Sequence, residues 1–354
     1  MPMRVLQIGP YPPPYGGVQV NILSIRRFLL ERGIDCSVIN VTRHRNASEP
    51  GVYHPTSALE VARLLWQLDY DIIHLHIGGN LTSRLVGLCF YCTMLPSCKT
   101  VLTFHSGGYP SSPAGEKANP WTLKGYVFRR LDRIIAVNEK IREMFIKFGV
   151  PQEKVRLISP FDPCAAVSNA ELPCQIRGFL DSHSPILVTV GLLEPEYNLH
   201  LQIDSLELVL KKFPQAGLII IGSGSLEQSL RDHISTKEYS DHVLLCGDVV
   251  HEATLKTISE ADVFLRTTQY DGDSISVREA LHLGVPVIAT DNGMRPLGVH
   301  LTSLTELTPK RLAEQIEFVL SDLSRNPKMS PDRTYQEAPS AKVLELYREI
   351  CARL

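Results

Sequence analysis

Short apolar runs alternate with segments of helical period along nearly the whole chain, and the alternation stops once and then restarts. "RVLQIG" (4–9), "CSVINV" (36–41), "YDIIHLHI" (70–77), "TVLTFH" (100–105) and "RIIAV" (133–137) read as strands. Each is apolar throughout rather than every second residue, and each is followed by a glycine-rich or helix-forming stretch. Strands of that kind are buried on both faces, which requires a parallel sheet covered by helices on either side. Residues 159–185 break the rhythm with prolines at 160, 163, 173 and 185. The pattern then resumes with "ILVTVG" (186–191), "GLIIIG" (217–222), "HVLLCG", "DVFLRT" and "VPVIAT" (285–290). At 354 residues the chain exceeds what one hydrophobic core usually serves. The expected fold is α/β, with two doubly wound domains of parallel strands facing a cleft. The expected boundaries are 1–165, a linker at 166–185, 186–335, and a closing helix at 336–354.

The bulk numbers exclude several functions. A formal net charge of −2 leaves no global basic field for nucleic acid. No run of about 18 apolar residues suggests a membrane span. The N-terminal apolar run is too short for a signal peptide, and eight scattered cysteines fit a reducing cytoplasm. Cys89 and Cys92 form a Cys-x-x-Cys inside an apolar helical run with no second pair at zinc spacing, so they read as buried thiols. The basic stretch "FRRLDR" (128–133) is compatible with an anionic membrane surface, although solvated helix charge explains it as well.

In doubly wound folds, ligands bind beyond the carboxyl ends of the strands. Gly16 and Gly17 precede a helix after the first strand, without the G-x-G-x-x-G spacing of a dinucleotide site. His74 and His76 alternate within a strand and so share a face, and His105 ends the next strand. A zinc site from these three is conceivable on spacing but lacks a carboxylate or thiolate partner. Gly222 and Ser223 form a turn suited to phosphate or ribose, with Ser223 or Ser225 expected to cap the following helix.

The densest stretch is "QYDGDSISVREALHLGVPVIA" (269–289). Asp271 and Asp273 have Asp-x-Asp metal spacing. Ser276 and Glu279 have the spacing of a capping box. Asp271, Gly272 and Asp273, leading into a helix start, also suit a sugar phosphate. Carboxylates there accept hydroxyl protons while backbone N–H groups face the anion.

Taken together, these motifs resemble the retaining glycosyltransferases of the GT-B fold, in the glycogen-synthase-like and mannosyltransferase-like group called glycosyltransferase family four. The resemblance covers essentially the whole chain. It runs through "GPYPPPYGGVQVNILSIRRFLLERG", "DIIHLHIGG", "TFHSGG" and "DRIIAVNEKIREMFIKFGV". It is most specific in "YDGDSISVREALHLGVPVIA", where Asp271 and Glu279 have the family's acid–seven residues–Glu spacing. It implies two Rossmann-like domains and transfer of a sugar from a nucleotide-diphosphate-sugar co-substrate to a saccharide or lipid-linked hydroxyl acceptor. Polysaccharide or glycolipid assembly is the implied setting, with no metal and no other cofactor. A cytoplasmic protein is implied, compatible with peripheral placement at the inner membrane face.

The resemblance also assigns roles. Asp271 and His105 become the expected catalytic residues, one beneath the reacting carbon and one near the donor sugar. Glu279 is expected on the ribose hydroxyls. Gly272, Asp273, Ser274, Ile275 and Ser276 are expected to face sugar and phosphate, with Gly222 and Ser223 nearby. Gly16, Gly17 and His76 belong to the acceptor and diphosphate side. On this reading Asp271→Ala and Glu279→Ala remove transfer and leave the fold intact.

Two departures stand out. Asp271 stands where the family usually has Glu. Leu192 and Tyr197 stand where it usually has the Arg and Lys that neutralise the leaving diphosphate. Arg266, Arg278 and Arg295 are the candidate substitutes. A nucleotide-sugar-binding relative without transfer activity, or a sugar-nucleotide epimerase of the same fold, would share the acid pair.

Overall fold

The computed structural model describes residues 3–13, 15–42, 49–96, 98–163, 170–323 and 338–352. The chain divides into two compact units, Met1–Asp162 with Glu337–Leu354, and Pro163–Gln336. Among the described residues the first contains seven strands: β1 (Arg4–Gly9), β2 (Asp35–Asn40), β3 (Val52–Tyr53), β4 (Ile72–Ile77), β5 (Lys99–Phe104), β6 (Arg133–Ala136) and β7 (Val155–Leu157). They form one parallel sheet in the order β3-β2-β1-β4-β5-β6-β7. The second contains β8 (Ile186–Val190), β9 (Gly217–Ile221), β10 (Val243–Gly247), β11 (Val263–Arg266), β12 (Val287–Thr290) and β13 (Val299–Thr302). Its parallel order is β10-β9-β8-β11-β12-β13. Each unit is therefore doubly wound, as expected. The strand order reverses between β1 and β4 in one and between β8 and β11 in the other.

The unbroken apolar strands have a physical cause. Leu187, Leu218 and Leu265 point into one core of the second unit, while Val188, Ile219 and Phe264 point into the core on the opposite sheet face. The first unit repeats this, with Leu6, Ile73 and Leu102 on one side and Val5, Ile72 and Val101 on the other. The segment read as a linker contains a helix, Cys174–Ser182, whose Ile176 and Phe179 are buried in the second unit's core. Its prolines flank that helix rather than making the whole segment a connection. Residues 164–169 of the same segment lie outside the described residues.

The helix Pro339–Cys351 completes the second core of the first unit with Val343, Leu344, Leu346, Tyr347 and Ile350. Ser340 N–H donates to Asp162 at 2.9 Å, and its hydroxyl bonds the other carboxylate oxygen. Deeper in, Tyr347 Oη lies 2.5 Å from His74 Nδ1, whose Nε2 lies 2.7 Å from Thr103 Oγ1. Burial pushes the His74 pKa down to about 3, so a neutral ring donates from one nitrogen and accepts at the other. Tyr347→Phe leaves one of those nitrogens unpaired. A loss of about 1–3 kcal/mol is expected, read as a lower urea midpoint at unchanged slope.

Asn138 caps the helix Glu139–Lys147 through Ile141 N–H, and Gly149 follows it at φ +83°. Cys89 and Cys92 are buried free thiols. Among the described residues no helix is long and apolar enough to cross a membrane.

Candidate active site

The reversal in strand order at β8 and β11 places the loops after these strands side by side, and the dense acidic stretch begins there. Gly191 follows β8 and Gly222 follows β9. A Cβ on Gly222, whose φ is +136°, would lie 1.8 Å from the Gly191 carbonyl oxygen. A Cβ on Gly191 would lie 2.3 Å from the Tyr197 ring and 2.7 Å from Arg266 Nη1. Only glycines let these loops close on each other. Ser223 and Ser225 do not cap the next helix, Glu227–Ser235, which lacks a side-chain cap. The Ser223 hydroxyl donates to Asp248 at 2.9 Å, and Ser225 binds Glu194 through N–H at 2.9 Å and Oγ at 2.5 Å. The two serines tie loops together instead.

Asp271 is the hub of the site. Its Oδ1 accepts from Arg266 Nη2 at 2.6 Å. Its Oδ2 accepts from Arg266 Nε at 3.1 Å, Thr268 Oγ1 at 2.7 Å and Arg295 Nη1 at 2.5 Å. Four donor atoms thus converge on one carboxylate, three on Oδ2 and one on Oδ1. The side chains of Arg266, Asp271 and Arg295 are 7%, 11% and 3% exposed. Burial acts to raise the Asp271 pKa, but the Arg266 charge and hydrogen bonds, joined by Arg295, outweigh it and hold it at about 2. Burial acts to lower the Arg266 pKa, yet the Asp271 carboxylate leaves it raised. Arg295 is lowered, chiefly by burial.

Arg266 ends β11 and donates from Nη1 to the Val190 carbonyl at the end of β8, 2.8 Å away. Its guanidinium lies 4.7 Å from the Tyr197 ring centroid. Arg295 reaches back to the Thr290 carbonyl at 3.0 Å and Thr268 Oγ1 at 2.9 Å. The fold thus gathers two of the three candidate cations on one acid, beside Tyr197. The third, Arg278, pairs with Asp273 at 2.5 Å.

The capping box does not form. The helix is Ile275–His282, with Ser274 as its N-cap residue and no side-chain cap bond. Ser276 lies inside its first turn, with Oγ 3.4 Å from the Val190 carbonyl and 3.4 Å from Ser274 Oγ. Glu279 turns into the protein, where Oε1 lies 2.6 Å from His251 Nε2. A buried carboxylate needs a polar partner, and His251 satisfies that need better than the helix end would. Sequence reasoning missed His251. It begins the helix His251–Glu260, 28 residues before its partner, and no local pattern marks it. Gly272 and Asp273 fill the loop between the two arrangements, while Ser274 and Ile275 are buried. Leu192, Val250 and Tyr270, in the loops after β8, β10 and β11, are about half exposed. They leave apolar surface at the strand ends that carry the charged groups.

In the first unit, the N–H of His105 donates to the Ile77 carbonyl at 2.8 Å. His105 Nε2 lies 3.4 Å from His76 Nδ1. The His74 and His76 ring centroids are 4.0 Å apart, so the two do share a face. Burial holds His105 at about 3 and His76 well below its ordinary value. Both are neutral at pH 7. His74 is committed to Tyr347 and Thr103, and among the described residues no three His, Cys, Asp or Glu side chains converge as a metal-binding group. Gly16 is the N-cap residue of the helix Gly17–Leu30, which has no side-chain cap. Gly78, after β4, abuts Val18 in its first turn.

Two family models match the chain. "Glycosyltransferase Family 4" covers residues 15–161, and "Glycosyl transferases group 1" covers residues 177–333. An uncharacterized glycosyltransferase of Methanocaldococcus jannaschii is 30% identical over 171 residues, which are 47% of this chain and 41% of that protein. The amylovoran biosynthesis glycosyltransferase AmsK of Erwinia amylovora is 23% identical over 266 residues, 73% of this chain and 61% of its own length. The chain thus spans less than two thirds of either relative. Among solved structures, Anabaena HepE in complex with UDP-glucose superposes with a TM-score of 0.73 at 16% identity, covering 99% of this chain and 100% of that one. With both halves matched in order and the fold in agreement, the chain belongs to the group 1, family 4 type of glycosyltransferases with the GT-B fold.

Proposed function

We propose that the chain transfers a sugar, with retention, from a nucleotide-diphosphate-sugar to a hydroxyl acceptor in polysaccharide or glycolipid assembly. The observation that carries this is the pairing, at the strand reversal of the second unit, of a buried carboxylate with a two-guanidinium cluster. Glu279 has one oxygen on His251, which orients the other toward a ribose hydroxyl. Arg266 and Arg295 outweigh Asp271 in charge and favour negative charge developing on the departing diphosphate, usually the largest catalytic contribution in such chemistry. Asp271, with four donors on it, serves this reading better as the group that positions the two guanidiniums than as a nucleophile. Front-face departure, in which a diphosphate oxygen takes the acceptor proton, needs no nucleophile from the protein. His105 and His76, neutral at pH 7, and the Gly16–Gly17 helix start belong to the acceptor and sugar side.

Leu192 and Tyr197 favour one second reading, a relative that binds nucleotide sugars without transferring them. A thermal-shift screen of uridine, guanosine and adenosine diphosphate sugars separates the cases. Uridine diphosphate glucose comes first, because the HepE structure contains it. A donor at a hundred times its Kd adds about 2.7 kcal/mol. That raises the melting temperature by roughly 5–10 °C for a unit of this size. Stabilisation with slow release of nucleoside diphosphate supports transfer. Stabilisation with no turnover or hydrolysis supports the binding-only reading, and no response to any donor defeats both.

A further inference from the structure

On one sheet face of the first unit the side chains turn from apolar to polar toward the carboxyl ends of β4 and β5. Ile72 and Val101 pack in the core that the helix Pro339–Cys351 completes, and alternation places His74, His76, Thr103 and His105 next on that face. Both ring nitrogens of His74 are occupied, by Tyr347 and Thr103. The His76 ring lies against this fixed ring at 4.0 Å between centroids. It lies 5.7 Å from the His105 ring and within 24° of parallel to it. Three imidazoles therefore run in a row toward the loop after β5. His76 is incompletely bonded: it is 4% exposed, and its Nε2 is buried with no hydrogen-bond partner among the described residues.

That unmet nitrogen fixes where the protons sit. A neutral imidazole carries one proton, and its other nitrogen accepts. On His76 Nε2 the proton would make a buried N–H with no acceptor. On Nδ1 it faces His105 Nε2, 3.4 Å away, and only a lone pair at Nε2 goes unmet. Buried acceptors without a donor are commoner than buried N–H groups without an acceptor. His105 Nε2 then accepts, so the single His105 proton sits on Nδ1. His105 is part-exposed, and its Nδ1 has no partner among the described residues, which leaves that N–H open to a ligand. We propose that His76 is a positioning residue: it donates to His105 and holds it in the Nδ1–H tautomer, so that His105 meets a hydroxyl oxygen of a bound sugar as a hydrogen-bond donor and not as a base. The sugar in this proposal rests on the transfer reading above, and the tautomer does not. With its lone pair committed to His76, His105 has none for an acceptor's proton. That fits a reaction in which a departing diphosphate oxygen takes the proton instead.

Tautomers are read directly by NMR. The full chain, isotope-labelled in its histidine ring nitrogens, is recorded without ligand at neutral pH by long-range proton–nitrogen correlation. Signals lost in His76→Phe and in His105→Ala identify the two rings. In the wild type both should show the Nδ1–H pattern. His76→Phe keeps a ring against His74 and removes the donor, so His105 should then show both tautomers. His76→Asn, whose amide donates from near the position of Nδ1, should restore the single pattern. Sugar transfer should follow: kcat falls roughly tenfold in His76→Phe and returns to within about twofold in His76→Asn. In an His105→Ala background, His76→Phe should cost little more, because it acts through the missing ring. An Nε2–H pattern for His105 in the wild type overturns the proposal. So does an unchanged His105 pattern in a folded His76→Phe, or a full additional loss in the double variant. A chain that transfers no sugar defeats the transfer reading, while the spectra still decide the tautomer.

Discussion

Asp271→Ala is expected to cost about 3–5 kcal/mol of stability, because it leaves Arg266 and Arg295 buried without the carboxylate they share. The second unit should then melt on the order of 10 °C lower. Asp271→Asn keeps the shape and loses the charge, so it should fall between Ala and wild type. The sequence alone suggested that Asp271→Ala would silence transfer in an intact fold. The geometry predicts a loss of activity that is partly a loss of structure. A matching pH dependence is expected. The folded-state pKa of Asp271 is depressed to about 2 from an ordinary 3.8. Its contribution of about 2–3 kcal/mol is fully present above pH 4 and is lost as pH falls toward 2. Urea midpoints at pH 5 and pH 3 should diverge more for wild type than for Asp271→Asn. Equal divergence would show that the carboxylate does not carry this dependence.

Glu279→Gln is expected to weaken donor binding rather than the fold. A hydrogen bond to a charged group contributes about 1.5–3 kcal/mol, so the donor Kd should rise roughly tenfold to a hundredfold. Stability should change less than in Asp271→Ala, since an amide still offers its oxygen to His251. Isothermal calorimetry with the donor found by thermal shift reads the first effect, and a melting curve reads the second. Wild-type donor affinity in Glu279→Gln would remove Glu279 from the binding site.

The layout of the sheets was legible because their inner strands are apolar on both faces, as in Ile186–Val190 and Gly217–Ile221. Two of the edge strands, β3 and β13, were not. Val52–Tyr53 has two residues, and Val299–Thr302 exposes His300 and Leu301, so neither shows such a run. At the site, the spacing of Asp271 and Glu279 was visible, but their partners were not. His251 reaches Glu279 from another helix, and Arg295 reaches Asp271 from beyond β12. The packing of helix His251–Glu260 against helix Ile275–His282 creates the first meeting and the neighbouring strands β11 and β12 create the second, and linear spacing encodes neither. The Ser276 capping box failed for the same reason: a local pattern gave way to a long-range bond that buried its glutamate.

The helix Pro339–Cys351 also bears on the order in which the chain acquires structure. The first unit takes part of its core from residues at the far end of the sequence, whereas the second is built from one continuous stretch. During synthesis, which runs from the N-terminus and lets domains fold as units, the second unit has all its residues before the first does. Val5, Ile72 and Val101 must wait for Val343, Leu346 and Tyr347 to be made. A nascent chain halted before that helix would carry a finished second unit and a first unit with one sheet face still wet.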